Sequence, residues 1–202
     1  MERQEALEAL SLLRRVVEHT RDDTALQNWG AIWMLHAFTN GAGFVATQLL
    51  LWRGYATPPP YLALWLPIIA FNLGTIRLLR RRQAGARSFV ETQIWAIWTA
   101  FVVAVASTAF LNYFMGIEVI FLGPVTAVLA AVAFSNMGSI MGRHWFWVAL
   151  VFLAGAVAMA LFPSFQFLIL GAVWAATKLA AGYLLHRARR QRLAAPPAAQ
   201  VV

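Results

Sequence analysis

Residues Trp174–Arg187 read WAATKLAAGYLLHR, a run of apolar and small side chains interrupted by one lysine and closed by the first of a group of arginines. A helix of this composition is suited to lipid. Its basic end belongs at the cytoplasmic surface, where Lys and Arg orient membrane helices. Lys178 is the only lysine in a chain that carries fifteen arginines.

Outward from this stretch the pattern repeats. Crossing a hydrocarbon core takes about 20 apolar residues in a helix, and six segments meet that length: 28–52, 60–79, 89–114, 117–140, 144–162 and 165–186. Gly54 with Pro58, Pro59 and Pro60 ends the first, and Pro163 separates the fifth from the sixth. Met115, Gly116 and Ile117 predict a tight turn between the third and fourth, which makes them antiparallel neighbours. With 61% hydrophobic and 12% charged residues over 202 positions, the reading is an all-α polytopic membrane protein with six transmembrane helices.

The basic residues set the orientation. Arg3, Arg14, Arg15 and Arg21 precede the first span. Arg77, Arg80, Arg81, Arg82 and Arg87 lie between the second and third, Arg143 between the fourth and fifth, and Arg187, Arg189, Arg190 and Arg192 after the sixth; Arg53 alone falls on the other side. Both termini are therefore expected in the cytoplasm, in a bacterial-type cytoplasmic membrane. The net charge of +8 is spent on these clusters, which argues against nucleic-acid binding. Arg80, Arg81, Arg82, Arg87, Arg187, Arg189 and Arg190 form a face expected to attract anionic lipids or an acidic partner. With no cysteine, disulfide and thiolate chemistry are excluded.

Residues 1–24 form a separate unit. Ala6, Leu10, Leu13 and Val17 recur at helical spacing among charges, as in an amphipathic helix lying on the membrane or docking on a partner. Asp22, Asp23 and the Thr24/Gln27 capping-box spacing predict the start of the first span. No small-residue cleavage pattern follows the first apolar run, so no cleaved signal peptide is expected. Residues 25–192 make the transmembrane domain, and the Ala/Pro-rich tail 193–202 is expected to be disordered. The tryptophans of NWGAIW (28–33), QIWAIW (93–98) and HWFW (144–147) read as an aromatic belt at the headgroups.

Depth can be estimated from the 1.5 Å rise per residue. Lys178 falls roughly 13 Å from the cytoplasmic end of its helix, and a lysine side chain reaches only about 6 Å toward water. By the same count Asn72, His36, Ser135 and Asn136 lie roughly 10–12 Å deep, with Asn40 one turn beyond His36. Polar groups of four helices are thus expected in one layer, facing inward because each is costly in lipid. Glu91 and Glu118 fall near the two surfaces, so no carboxylate shares the depth of Lys178. Such a lysine must shed its proton, keep water or amide partners, or meet a ligand.

The pattern TKLAAGYLLHR resembles the last helix of microbial rhodopsins, in which a retinal-binding lysine precedes small residues and cytoplasmic arginines. The likeness covers some fifteen residues. That family has seven spans, an external N-terminus and carboxylate counter-ions, none of which this sequence predicts, so retinal is not expected and the resemblance assigns no family.

His36 is the only histidine within a span, which excludes a bis-histidine haem in one chain; no intramembrane carboxylate is available to relay protons or bind sodium. No hydrolytic constellation, metal site or cofactor is read. The expectation is a non-enzymatic protein that binds or transports a small amphipathic or anionic molecule at a layer formed by Lys178, His36, Asn40, Asn72, Ser135 and Asn136. Membrane lipids are its surroundings, and a homodimer is considered because Ser135/Ser139, Gly138/Gly142, Ala154/Ala158 and Gly171/Ala175 have close-packing spacing. The competing expectation is a regulatory or assembly subunit that docks through the N-terminal helix and the arginine face.

Overall fold

The computed structural model describes residues 29–81, 89–116 and 121–194, with Glu8 and Ser11 from the N-terminal segment. Six long helices account for nearly all of it: α1 (Trp29–Trp52), α2 (Pro58–Arg81), α3 (Phe89–Phe114), α4 (Leu122–Met141), α5 (His144–Leu161) and α6 (Gln166–Ala194). No strand occurs among the described residues. Each helix lies on one of the six apolar runs.

Five helices are long and apolar enough to cross a membrane: α2, α3, α4, α5 and the 163–188 stretch that contains most of α6. The exception is α1, which has sufficient length at 24 residues. Its apolar run is diluted by His36, Thr39, Asn40, Thr47 and Gln48.

The helix ends follow local chemistry. At the end of α1 the Gly54 N–H donates to the Leu51 carbonyl and the Tyr55 N–H to the Leu50 carbonyl, with Gly54 at φ 79°; this paired arrangement satisfies the last carbonyls and needs a residue without a Cβ. Three prolines open α2, where the missing N–H groups have no helical acceptor to lose. Gly142 at φ 115° turns α4 directly into α5, so these two pack along their length. A short 3₁₀ turn, Pro163–Phe165, joins α5 to α6.

The most extensive interface joins α1, the first helix, to α6, the last. A Cβ added to Gly30 would lie 2.6 Å from the Gly182 carbonyl oxygen, and one added to Gly182 would lie 2.7 Å from the Gly30 carbonyl oxygen. Backbone therefore meets backbone here, the close approach that small residues permit. Two buried glutamines fasten the opposite end. Gln48 accepts from the Phe167 N–H at 3.0 Å and donates to the Ser164 carbonyl at 3.1 Å, while Gln166 accepts from the Gly123 N–H at 3.1 Å. Each glutamine thus satisfies an N–H at a helix start that has no partner within its own helix. The core lies among α1, α4, α5 and α6, centred on Phe134, Met137, Phe152 and Leu170; α2 packs chiefly on α1 and α3 chiefly on α4.

Several expectations change. The fourth helix is described from Leu122; positions 117–120, where the sequence reading starts it, lie outside the described residues. The helix through the C-terminal arginines continues to Ala194, so 193 and 194 are not part of a disordered tail; positions 195–202 lie outside the description. Glu8 and Ser11 are helical, with the Ser11 hydroxyl donating to the Glu8 carbonyl at 2.8 Å. The rest of the amphipathic segment, the Thr24/Gln27 start signal of the first span, Arg82 and Arg87 lie outside the described residues.

The aromatic belt requires the clearest correction. Trp29, Trp33 and Trp145 are buried, and Trp95 and Trp98 half-buried, so they belong to the core; Trp147, 70% exposed, points outward. Two of them, Trp33 and Trp98, turn inward onto Lys178, while Trp29 packs on Trp95 and Trp145 on Trp33 and Phe134.

A caged lysine beside an amide cluster

On α6, Gly171, Trp174, Ala175, Lys178 and Gly182 follow one another at helical spacing. The small residues draw α1 close, and the same face carries Lys178 into the interior, where it is 3% exposed. A helical side chain leans back toward the N-terminus, which takes the amine toward Trp174 and away from the C-terminal end of the helix.

Four aromatic rings from four helices receive it. Lys178 Nζ lies 3.7 Å from the Trp98 ring centre on α3 and 4.2 Å from that of Trp33 on α1. Trp174 on α6 follows at 5.2 Å and Phe134 on α4 at 5.7 Å. All four lie within the 6 Å over which a ring face attracts a cation. The rings support each other edge to face, with Trp33–Trp98 at 6.3 Å and 90° and Trp98–Phe134 at 5.3 Å and 83°. Aromatic faces thus stand where a counter-ion would be sought; among the described residues, no carboxylate pairs with Lys178.

The amides assemble separately. Thr39 Oγ1 donates to Asn72 Oδ1 at 2.7 Å, and Asn72 Nδ2 donates to Asn40 Oδ1 at 2.8 Å. Asn72 is 8% exposed. This network ties α2 to α1, and Trp65 Nε1 donating to Thr47 Oγ1 at 3.0 Å ties them again two turns away. His36 connects the two groups: it lies against the Asn72 backbone and within electrostatic reach of Lys178, and its buried Nε2 has no hydrogen-bond partner.

Beside the amide network a groove of about 430 Å³ runs between α1 and α2, walled by Thr39, Gly43, Leu64, Pro67, Ile68 and Phe71. Gly43 brings the helices together at its base, since a Cβ there would lie 2.9 Å from Ile68 Cδ1. Pro67 stands inside α2 and offers no N–H to the Ala63 carbonyl. The groove is apolar along its length, with the Thr39 hydroxyl in its wall.

The expected single layer is therefore divided. His36, Asn40 and Asn72 come together, Lys178 lies behind them within aromatic rings, and Ser135 and Asn136 belong to neither group. Asn136 is exposed and Ser135 half-buried, because α4 turns Ala133, Phe134, Met137 and Gly138 inward. Depth along a helix was readable from sequence, whereas rotation about its axis was not. Sequence reasoning also missed Thr39, Trp33, Trp98, Phe134 and Trp174; the available signal was a cation without a carboxylate at its depth, amid tryptophans three or four residues apart. Among the predicted arginine face, Arg187 and Arg190 are exposed, and Arg80, Arg81 and Arg189 lie within the terminal turns of α2 and α6.

Helix content and hydropathy define the class: an all-helical bundle with several helices capable of crossing a membrane. No known family model matches the chain, and no curated protein or solved structure is detectably similar to it.

Proposed function

We propose that this chain is a six-span protein of the cytoplasmic membrane, with both termini on the cytoplasmic side, that binds a small membrane-dissolved amphiphile without transforming it. The observation that carries the reading is the groove between α1 and α2 with the Thr39–Asn72–Asn40 network at its side. Its volume of about 430 Å³ falls in the range of small-molecule sites, which combine mostly apolar walls with a few convergent polar groups. An apolar tail lies along Ile68, Leu64 and Phe71, and a head rich in hydrogen-bonding oxygens meets Thr39, the groove-lining residue that joins the amide network. The Lys178 amine behind them and the unpartnered His36 Nε2 favour an anionic or carbonyl-bearing head. Transport, if it accompanies binding, uses this site as its intramembrane station.

The test is a native mass spectrum of the full chain released from detergent, compared with Ala42→Trp, which fills the groove from its exposed wall and removes no hydrogen bond. The parent should retain an amphiphile-sized adduct that Ala42→Trp loses while its thermal melt stays the same. A parent without adduct, or an adduct unaffected by Ala42→Trp, rejects the reading.

A further inference from the structure

Of the four described asparagines, Asn40 and Asn72 bond to one another, Asn112 is buried, and only Asn136 is exposed. Asn136 lies five residues before the end of the 20-residue α4, about 7.5 Å in from that end by helical rise. A helix of this length spans about the hydrocarbon thickness, so the carboxamide stands within lipid and is too short to reach the headgroups. Exposed serine at such a depth can return its hydroxyl to its own helix, as Ser139 does to the Ser135 carbonyl at 3.5 Å. Asn136 has no such bond, and a carboxamide left unpaired in hydrocarbon is costly.

The surface around it is equally particular. The exposed residues of α4 are Val125, Val128, Val132, Asn136 and Ser139, at intervals of three and four that place them on one continuous stripe. No charge interrupts the stripe, and β-branched valines lose little rotamer freedom when a second helix packs on them. Intervals of three and four are also those of helices that pair along their length.

We propose that the protein forms a homodimer in the membrane through this stripe, with Asn136 of each copy hydrogen-bonded to Asn136 of the other across a two-fold axis. The occupant follows from the chemistry of the amide. It carries donor and acceptor on one group, and a two-fold axis brings the same residue of both copies to the same point. A second copy therefore supplies the complementary group at the required depth, with an equally uncharged valine surface on either side. Interhelical amide bonds of this kind are an established means of association in lipid.

The absence of native cysteine makes the test clean. Val132→Cys, on the stripe, and Val157→Cys, 61% exposed on α5, are each introduced into the full chain in lipid vesicles and oxidised with copper-phenanthroline at high lipid-to-protein ratio. Val132→Cys should form a disulfide-linked dimer and Val157→Cys should not. Adding Asn136→Leu to Val132→Cys, which leaves the core intact because the side chain is outside it, should lower the cross-linked fraction in the dilute regime by roughly eightfold, the effect expected from two hydrogen bonds between membrane helices. Equal cross-linking at both positions, or no effect of Asn136→Leu, overturns the proposal.

Discussion

Replacing Lys178 with methionine removes the charge while keeping an unbranched stem of similar volume. Placing a lysine at the centre of a membrane helix costs about 2.5–3.5 kcal/mol on insertion scales. Against this stand the two nearest rings, Trp98 at 3.7 Å and Trp33 at 4.2 Å, each contributing about 2 kcal/mol when the cation is desolvated; the rings beyond 5 Å add little. The terms nearly cancel. Methionine then gains sulfur–aromatic contacts of about 0.3–1.5 kcal/mol each, so Lys178→Met should match the parent within about 1 kcal/mol in unfolding by SDS in mixed micelles, a difference no larger than that of a tolerated core swap. Lys178→Ala, which empties the cage, should lose about 2–4 kcal/mol. If Lys178→Met lost more than about 3 kcal/mol, the ring faces would be stabilising the ammonium well beyond its desolvation cost, and the balance would be wrong. A stable Lys178→Met protein that no longer retains the amphiphile adduct would mean that the charge is kept for the ligand.

Gly182→Leu should prevent α1 and α6 from closing, because its Cβ alone would stand 2.7 Å from the Gly30 carbonyl oxygen; the expected result is a loss of folded protein by size exclusion, and an unchanged profile would contradict the backbone crossing. Gln48→Leu leaves the buried Phe167 N–H without its acceptor and should cost about 1–3 kcal/mol, with faster hydrogen exchange at Phe167; unchanged protection there would show that the bond contributes nothing. Asn72→Leu breaks both the Thr39 and Asn40 bonds and should raise the exchange of α2 relative to α4 and α5. Uniform exchange would deny the network its role in holding α2.

The helices were legible because apolar run length maps directly onto a physical length. Trp29–Trp52 and Phe89–Phe114 agree with the sequence reading to within a residue at each end. The divided site was not, because depth is a one-dimensional quantity. It orders polar residues along a helix, but which way a side chain faces depends on which neighbours its helix finds. The tryptophans misled for a related reason: an indole suits a headgroup layer, a ring-packed core and a ring face over a cation alike, and only the folded neighbours, Lys178 for Trp33 and Trp98 and other rings for Trp29, Trp95 and Trp145, decide among them. Gln48 and Gln166 drew no attention in sequence because their partners are backbone N–H groups that carry no residue-specific signature.

The pairing of α1 with α6 bears on the order in which the protein is made. When α1 leaves the ribosome it exposes the Gly30 face and Trp33, and their partner α6 is synthesised only after the four helices between them. Until α6 arrives, three walls of the aromatic cage surround nothing and Gln48 has no N-terminus to cap. Arrival of α6, and not the insertion of each helix in turn, is the event that closes the bundle. A polypeptide cut short before Lys178 should thus remain an open, protease-accessible intermediate.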